Sequence, residues 1–382
     1  MRNIIPLSRQ SILGREQDYV LQALAQENWG GGGMFCRQAE EFIESQFGTK
    51  RVILTSSCTT ALNICGLLSG VRAGDEVIMP SFTFPSTANA FLLRGAKPVF
   101  LDIRPDTQNI DETLIEDAIT DRTRAICIVH YAGVACEMDA IMEIAARHGL
   151  LVVEDAAQGI FAKYKNRWLG TIGDLGCYSF HATKNISCGE GGALLVNNSE
   201  FIERVEILCE KGTNRAEFSR GDAKKYQWCD LGTSVSPSEA ASAVLYGQLE
   251  AANICAEARS NAYELYMELL RPLEARGDIQ LPVIPAHCQS NHHIFYFLVS
   301  DIETRSSLIN HLKRAGVSAA FHFVPLHSSP YGQQYYDQDR PMMNTDAAAA
   351  CVVRLPLYVG LSEEDINRIV QLVYGFYGAK TI

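Results

Sequence analysis

The sequence has no long apolar run, no excess of positive charge and no paired-cysteine motif. No apolar stretch approaches the roughly 20 residues needed to span a bilayer, and the start MRNIIPLSRQSILG lacks the apolar core of a secretion signal. The formal net charge of -11 argues against nucleic acid and anionic membranes as partners. We therefore expect a cytoplasmic protein that acts on small molecules.

Metal-binding patterns are absent as well. The 12 cysteines are scattered without a CxxC pair, many of them in apolar segments, and the 9 histidines include no HExxH pattern. Reduced, buried thiols fit this distribution better than a disulfide framework or a zinc site, and we expect no bound metal. The 382 residues, 47% hydrophobic and 20% charged, have an ordinary globular composition. They suffice for a large domain with a smaller companion.

From about residue 50 to residue 200, short apolar runs alternate with helical patterns. Strands this uniformly apolar are buried on both faces, so the pattern predicts an α/β fold with a mostly parallel sheet covered by helices. Long helical patterns follow residue 235, and a second, smaller α/β unit comes after them. We place a large domain at residues 1–250 and a small C-terminal domain at residues 251–382.

Three features fall at the predicted carboxyl ends of strands, where ligands bind in such folds. The small hydroxyl residues of LTSSCTTAL (54–62) offer free amides at a helix start, although serine and threonine are also ordinary helix caps. Asp155 ends the strand LLVVED, where it could alternatively cap the next helix. Lys184 follows an apolar run and precedes GEGGALLV, although most lysines simply lie at the surface.

In that chain order, a phosphate seat, a buried carboxylate and a desolvated lysine are what pyridoxal phosphate requires. The cofactor needs an anchor for its phosphate, a counter-charge for its ring nitrogen and an amine to bind covalently. These three features therefore indicate a pyridoxal phosphate enzyme.

Several motifs together resemble the DegT/DnrJ/EryC1/StrS sugar aminotransferases. They are EDAAQ (154–158), SFHATK (179–184), GEGGALLV (189–196) and PSFTFPSTANAFLLRGAKPVFLDI (80–103). The resemblance extends from the opening segment through WGGGGMFCRQAEEF to the tail VPLHSSPYG and RLPLYVGLSEEDI. It implies a pyridoxal-phosphate-dependent transferase of fold type I with a seven-stranded type of sheet, and a homodimer whose active sites lie at the subunit interface.

The resemblance also implies roles for individual residues. Lys184 should bind the cofactor covalently, and Asp155 should pair with its pyridinium nitrogen. Phe84 is expected against the cofactor ring, where the alternative is core packing, and Ser179 at the phosphate, where the alternative is a turn hydrogen bond. The remaining implied cofactor contacts are Cys58 and Thr59 at the phosphate and Gln158 on the side of the ring hydroxyl.

One segment departs from the family pattern and narrows the choice within it. Ser234 is implied as a cofactor contact, because it stands where the family commonly has an asparagine that reaches the partner subunit's phosphate. Serine departs from that pattern but can still donate one hydrogen bond. The segment EKGTNRAEFSRGDAKKYQWCDLGTS (210–234) resembles the enterobacterial common antigen branch, which makes TDP-4-amino-4,6-dideoxygalactose. A solvated loop is the alternative for so charged a segment. The implied substrate contacts are one or more of Arg215, Arg220, Lys224 and Lys225, together with His327.

The implied reaction moves the amino group of L-glutamate to C4 of TDP-4-keto-6-deoxyglucose, with pyridoxamine phosphate between the two half-reactions. A C3-aminotransferase, a fold-type I lyase and a non-catalytic cofactor-binding protein remain alternatives. A pyridoxamine-dependent dehydratase is disfavoured, because those family members have histidine where this chain has Lys184.

Overall fold

A computed structural model describes residues 4–27 and 29–378 of the chain. Its strands are β1 (Arg51–Thr55), β2 (Glu76–Pro80), β3 (Lys97–Leu101), β4 (Thr123–Val129), β5 (Leu151–Asp155), β6 (Lys163–Tyr164), β7 (Arg167–Trp168), β8 (Leu175–Ser179), β9 (Gly192–Val196), β10 (Cys288–Gln289), β11 (Phe295–Leu298) and β12 (Val352–Leu355). Its α-helices are α1 (Glu16–Ala25), α2 (Met34–Phe47), α3 (Cys58–Leu68), α4 (Pro85–Leu92), α5 (Ile115–Ala118), α6 (Met138–His148), α7 (Ile202–Cys209), α8 (Arg215–Arg220), α9 (Glu239–Glu250), α10 (Ala252–Ala275), α11 (Ile302–Arg314), α12 (Met343–Cys351) and α13 (Glu363–Phe376).

The central sheet has seven strands in the order β1-β9-β8-β5-β4-β2-β3. Strand β9 runs antiparallel to both of its neighbours, β1 and β8, and the other described pairings in this sheet are parallel. The predicted α/β fold with a mostly parallel seven-stranded sheet is confirmed. Because all strands but β9 point the same way, their carboxyl ends meet at one edge of the sheet.

Helices cover both faces of the sheet because its strands are apolar on both sides. Along β2, Val77 and Met79 pack into one hydrophobic core while Ile78 packs into another. The same alternation places Val152 and Val153 of β5 in different cores. This two-sided burial explains why the strands read as continuous apolar runs in the sequence.

A separate hydrophobic core lies in the C-terminal part of the chain. It unites apolar residues of α10, α11 and α13 with Phe295, Phe297, Val353 and Leu355 from the two-stranded sheet β11-β12. Ile5 of the N-terminal segment joins this core and pairs with Val317. The division at residue 250 falls at the junction of α9 and α10 and stays a prediction.

None of the described helices combines the length and apolar character that a membrane crossing requires. Each of the twelve cysteines is a free thiol, as the sequence predicts, and most are buried.

Candidate functional site

A cavity of about 320 Å³ opens at the carboxyl edge of the central sheet. The residues that follow β1, β2, β5 and β8 line it, and the turn before the antiparallel strand β9 adds Glu190 and Gly191. Seven of the predicted cofactor residues lie in its wall: Cys58, Thr59, Phe84, Asp155, Gln158, Ser179 and Lys184. Residues far apart in the sequence are therefore brought together as the strand-end argument predicts.

The amino terminus of α3 forms one end of this cavity. Ser57 caps the helix, and its side-chain oxygen accepts a hydrogen bond of 3.1 Å from the backbone N–H of Thr60. Cys58 and Thr59 occupy the first helical turn, where backbone N–H groups lack partners within the helix. The hydroxyls of Thr59 and Ser86 are 2.7 Å apart. Free amides, hydroxyls and the positive end of the helix make this end suitable for a phosphate.

Asp155 presents a buried carboxylate to the cavity. Thr87 donates a hydrogen bond of 2.7 Å to its Oδ2, and the backbone N–H of Ala157 donates one of 3.2 Å to its Oδ1. Burial raises the pKa of the Asp155 carboxyl, and these hydrogen bonds offset part of that rise. Among the described residues it forms no ion pair, so the site holds an acidic group without a cation at bonding distance.

Lys184 reaches the cavity from the loop after β8. Burial lowers the pKa of its amine, which favours the neutral, nucleophilic form. Within the described part of the chain its amine makes no hydrogen bond or ion pair. The adjacent Asn185 is held firmly, since its Nδ2 donates to the carbonyl of Asn291 at 2.8 Å and its Oδ1 lies 2.8 Å from His293 Nδ1.

Gln158 and Phe84 complete the predicted cofactor surroundings. Gln158 is buried, and its Oε1 accepts a hydrogen bond of 2.7 Å from the backbone N–H of Ala132, which fixes the amide at the cavity wall. Phe84 is 60% exposed at the start of α4. The alternative of core packing for Phe84 is therefore wrong, and its ring is available to a ligand.

His322 and Phe323 also line the cavity, and sequence reasoning missed both. They come from the loop in the C-terminal part of the chain that contains the predicted His327. His322 Nδ1 lies 3.2 Å from the hydroxyl of Tyr131. Burial lowers the pKa of His322 to about 2, so the ring is neutral. Only its nearness to the cavity could identify His322 as a site residue, and this nearness is visible in the fold but not in the sequence.

His327 itself lies outside the cavity wall of this chain, and its expected place beside the substrate stays a prediction. Its Nδ1 lies 2.7 Å from the hydroxyl of Ser81, and its backbone N–H donates to the same oxygen at 3.0 Å. With 3% of its surface exposed, His327 anchors the loop to the end of β2.

The predicted residues of segment 210–234 also lie outside the cavity wall of this chain. Arg215 and Arg220 are on α8, where Arg220 pairs with Glu206 and Asp222, each at 3.1 Å. Lys224 and Lys225 are exposed and form no ion pair with the described residues. Ser234 is exposed and pairs with Glu210 as an isolated bridge.

The residues present fit the pyridoxal phosphate that the resemblance implies. A buried carboxylate that forms no ion pair with the described residues suits a protonated ring nitrogen, and an amine with lowered pKa suits covalent binding. The backbone N–H groups at the start of α3, which lack partners within the helix, suit the phosphate. The exposed ring of Phe84 suits a flat heteroaromatic ring.

Comparisons with known proteins agree with this geometry. The model of the "DegT/DnrJ/EryC1/StrS aminotransferase family" matches residues 11–374. The chain is 33% identical to "Uncharacterized protein MJ1066" of Methanocaldococcus jannaschii, over 97% of both chains. It is 31% identical to "Spore coat polysaccharide biosynthesis protein SpsC" of Bacillus subtilis, over 95% of this chain and 94% of SpsC.

A solved structure with the same fold is that of a DegT DnrJ EryC1 StrS aminotransferase from Brucella abortus. It superposes with a TM-score of 0.86 at 28% identity, and the alignment covers 95% of each chain.

Proposed function

The chain belongs to the DegT/DnrJ/EryC1/StrS aminotransferase family, and we propose that it transfers the amino group of L-glutamate to C4 of TDP-4-keto-6-deoxyglucose. The products are 2-oxoglutarate and TDP-4-amino-4,6-dideoxygalactose. The chain is an enzyme, a sugar aminotransferase with the type I fold, and its cofactor is pyridoxal phosphate.

The single observation behind the reaction is that Asp155, Lys184 and the amino terminus of α3 line one cavity. When bound there, pyridoxal phosphate supplies the carbonyl carbon that exchanges amines and the ring that accepts electrons. Asp155 would hold the ring nitrogen in its protonated state. Thr87 keeps the Asp155 carboxylate oriented through the 2.7 Å hydrogen bond.

Lys184 provides the proton transfers. Its lowered pKa favours the neutral amine, which would take the proton from the α-carbon of the amino donor. With the keto sugar as the substrate, the same side chain would deliver a proton to C4 of the sugar. Phe84 and Gln158 would orient the ring, and the start of α3 would hold the phosphate.

The choice of a TDP-linked 4-keto sugar rests on segment 210–234. Its resemblance to the enterobacterial common antigen branch supports the assignment, as does the printed description of SpsC as a polysaccharide biosynthesis protein. Lys224 and Lys225 are better placed than Arg220 to hold the nucleotide diphosphate. Acidic neighbours already engage Arg220, whereas the two lysines form no ion pair within the described residues.

Segment 210–234 serves the active site of a second copy of the chain in this proposal. Two of its aromatic residues are exposed to water, which is unfavourable in a monomer. Trp228 is 79% exposed and Tyr226 is 54% exposed. Its cations lie outside the cavity wall of their own chain. A homodimer with shared active sites would cover the aromatic residues and give the cations a substrate.

The experiment is to incubate the holoenzyme with L-glutamate and TDP-4-keto-6-deoxyglucose and to analyse the product by NMR. The proposal expects an amino group at C4 in the galacto configuration. The UDP-linked sugar serves as the matched control for nucleotide choice, and we expect it to react more slowly. An amino group at C3, or loss of a hydroxyl without gain of nitrogen, would contradict the proposal.

A further inference from the structure

Two buried threonines, Thr83 and Thr87, lie beside Asp155. Thr83 precedes α4 and lies in the cavity wall with 1% of its surface exposed, and Thr87 is fully buried in the first turn of that helix. Their Oγ1 atoms are 2.8 Å apart. Thr87 donates a hydrogen bond of 2.7 Å to Oδ2 of Asp155. The three side chains therefore form a continuous row of hydrogen bonds from the cavity wall to the carboxylate.

The direction of these hydrogen bonds follows from the number of protons. A threonine hydroxyl carries one proton, and Thr87 gives its proton to Asp155. The oxygen of Thr87 must then accept in the 2.8 Å contact, so Thr83 is the donor there. A hydrogen bond to an ionised acceptor is roughly twice as strong as one between neutral groups, and the members of such a row polarise one another. The row therefore favours the ionised form of Asp155.

Neither hydroxyl is explained by capping of the helix beside it. Serine and threonine near a helix start ordinarily cap the helix. The N-cap residue of α4 is instead Phe84, and in the described chain no side chain caps this helix. The two hydroxyls bond to each other and to Asp155, which points to a role at the carboxylate.

The charge of Asp155 depends on its hydrogen bonds because other sources of stabilisation are weak. Burial raises the pKa of the carboxyl, and the hydrogen bond from Thr87 lowers it. Burial also disfavours a charge on Lys184, the nearest lysine. The titratable groups that face Asp155 from the surrounding elements are Lys184, His130 after β4, Cys58 of α3, Cys127 of β4 and Cys177 of β8. The threonine hydroxyls, by contrast, donate at every pH at which the protein is folded.

We propose that Thr83 is a positioning residue of the reaction, which acts through Thr87 to hold Asp155 ionised. The inference rests on the proposed role of Asp155 beside the ring nitrogen of the cofactor. A protonated ring nitrogen needs an ionised carboxylate in a place that water does not reach. The row of hydroxyls supplies the hydrogen bonds that water would otherwise supply. The same segment places Phe84 in the cavity wall, so it would serve both the face and the charge of the ring.

Direct contact of Thr83 with a substrate is the alternative, because Thr83 lies in the cavity wall. Its one proton is given to Thr87, which leaves only lone pairs for a ligand. The two roles differ in one respect that can be measured. An effect that passes through Thr87 disappears when the Thr87 hydroxyl is removed, whereas a direct contact remains.

The first measurement uses the cofactor-free protein and requires no turnover. A carboxyl with a raised folded-state pKa loses stability as the pH rises, until the pH reaches that folded value. Thr83→Val removes the hydroxyl and keeps the shape, and the lost donor raises the folded value further. In urea unfolding, the loss of stability should therefore continue to a higher pH than in the wild type. Thr87→Val should extend it further, and Thr83→Ser should match the wild type.

The second measurement reports the protonation of the ring nitrogen in the holoenzyme. The protein is loaded with pyridoxal phosphate that carries ¹⁵N in the ring, and the resonance of that nitrogen is recorded by NMR. We expect it to move toward the unprotonated value in Thr87→Val and, by less, in Thr83→Val. Thr83→Ser should keep the wild-type resonance.

Stopped-flow measurement of the glutamate half-reaction separates rate from binding. At saturating L-glutamate, loss of the visible band should be about 10- to 100-fold slower in Thr87→Val, which loses a hydrogen bond to a charged group. It should be about 2- to 10-fold slower in Thr83→Val, which loses one between neutral groups. The glutamate concentration at half-saturation should stay near the wild-type value. In the double variant, Thr83→Val should add little to Thr87→Val.

The matched control is Thr345→Val. It removes a hydrogen bond of 2.7 Å from a buried threonine to the carboxylate of Asp102, outside the cavity wall. This variant should keep the wild-type resonance of the ring nitrogen, and circular dichroism shows whether each variant is folded.

An unchanged pH dependence and ring-nitrogen resonance in folded Thr83→Val would overturn the inference. An effect of Thr83→Val that is equally large with and without the Thr87 hydroxyl would also overturn it. A defect confined to half-saturation by either substrate would overturn it in favour of direct contact. If Asp155→Asn itself leaves the ring-nitrogen resonance unchanged, the proposed role of Asp155 fails instead.

Discussion

At the residue scale, burial moves the pKa values of two facing groups in opposite directions. It raises the pKa of Asp155 and lowers that of Lys184, so each is shifted toward its neutral form in the cofactor-free protein. Such shifts cost folding free energy, and they are typical of functional sites. Cofactor binding would offset this cost in folding free energy. A protonated ring nitrogen would then lie beside the Asp155 carboxylate, and a carbonyl carbon would lie beside the Lys184 amine.

The raised pKa of Asp155 predicts that the cofactor-free protein loses stability as the pH rises. A carboxyl whose pKa is higher in the folded state contributes stability below its unfolded pKa of about 4, and loses that contribution as the pH rises through the folded value. In Asp155→Asn this loss is absent. Urea unfolding of both proteins between about pH 4 and pH 8 should therefore show the wild type losing stability relative to the variant as pH rises.

A stability difference that does not change with pH would contradict the raised pKa.

Asp155→Asn, loaded with cofactor, should transaminate about 100- to 1000-fold more slowly, because a preorganised charge no longer stabilises the protonated ring nitrogen. Asp155→Glu, which keeps the charge, should be less impaired. Unchanged turnover in Asp155→Asn would rule out the role of Asp155 in the reaction.

How far individual residues could be predicted depends on whether their signal is local. Asp155 and Lys184 follow apolar strands in recognisable motifs, and both were placed correctly in the cavity. His322 was missed because its role depends on how the C-terminal loop packs against the sheet. The nearby His327 hydrogen-bonds to Ser81, and its expected place beside the substrate stays a prediction.

At the scale of elements, the end of strand β5 has two carboxylates with different tasks. Asp155 faces the cavity, whereas the side chain of Glu154 accepts hydrogen bonds from the backbone N–H groups of Gly170, Ile172 and Gly173 at 2.8, 2.6 and 2.6 Å. Glu154 also lies 2.9 Å from His130 Nε2. Consecutive strand residues point to opposite sides, which separates the structural carboxylate from the functional one.

Removing the Glu154 carboxylate should destabilise this part of the sheet severely. Glu154→Ala leaves three backbone N–H groups and the buried His130 without their acceptor, so we expect a loss of about 3–5 kcal/mol in the free energy of unfolding. Glu154→Gln keeps one acceptor oxygen and should lose less. Glu143→Ala, at an exposed position of α6, should change stability by less than about 0.5 kcal/mol.

Urea unfolding of the three variants gives these values. A loss in Glu154→Ala no larger than that in Glu143→Ala would show that the hydrogen bonds of Glu154 do not hold the end of β5. Cofactor binding should weaken in parallel with the loss of stability, since Asp155 is the next residue.

Elements with strong periodicity were predictable, and those defined by weak turn signals were not. The buried strands and the alternating helices follow from apolar runs, and the seven-stranded sheet is as expected. The short hairpin of β6 and β7 was missed. Its turn residues Lys165 and Asn166 both have positive φ, of 45° and 67°, yet no glycine marks the turn.

At the scale of the whole molecule, the proposed role of segment 210–234 predicts enzyme activity that only a mixed dimer of two variants can have. Lys184→Ala keeps the segment but lacks the amine, while the combined change of Arg215, Arg220, Lys224 and Lys225 to Ala keeps the amine but lacks the cations. Each parent protein should be inactive. If the segment serves the partner's site, a mixed dimer contains one site with both parts intact.

Unfolding the two parents together and refolding them should therefore restore activity that neither parent has. Refolding each parent alone is the control. A refolded mixture without activity, in which mixed dimers are shown by mass spectrometry, would mean that the segment serves its own chain.

The most direct measurement of the central claim is the visible spectrum of the purified holoenzyme, taken before and after L-glutamate and again after TDP-4-keto-6-deoxyglucose. We predict that glutamate removes the band of the lysine-bound cofactor and that the sugar restores it, while Lys184→Ala binds cofactor without that band. A band that glutamate leaves unchanged, or a Lys184→Ala protein with normal spectrum and turnover, would contradict the account.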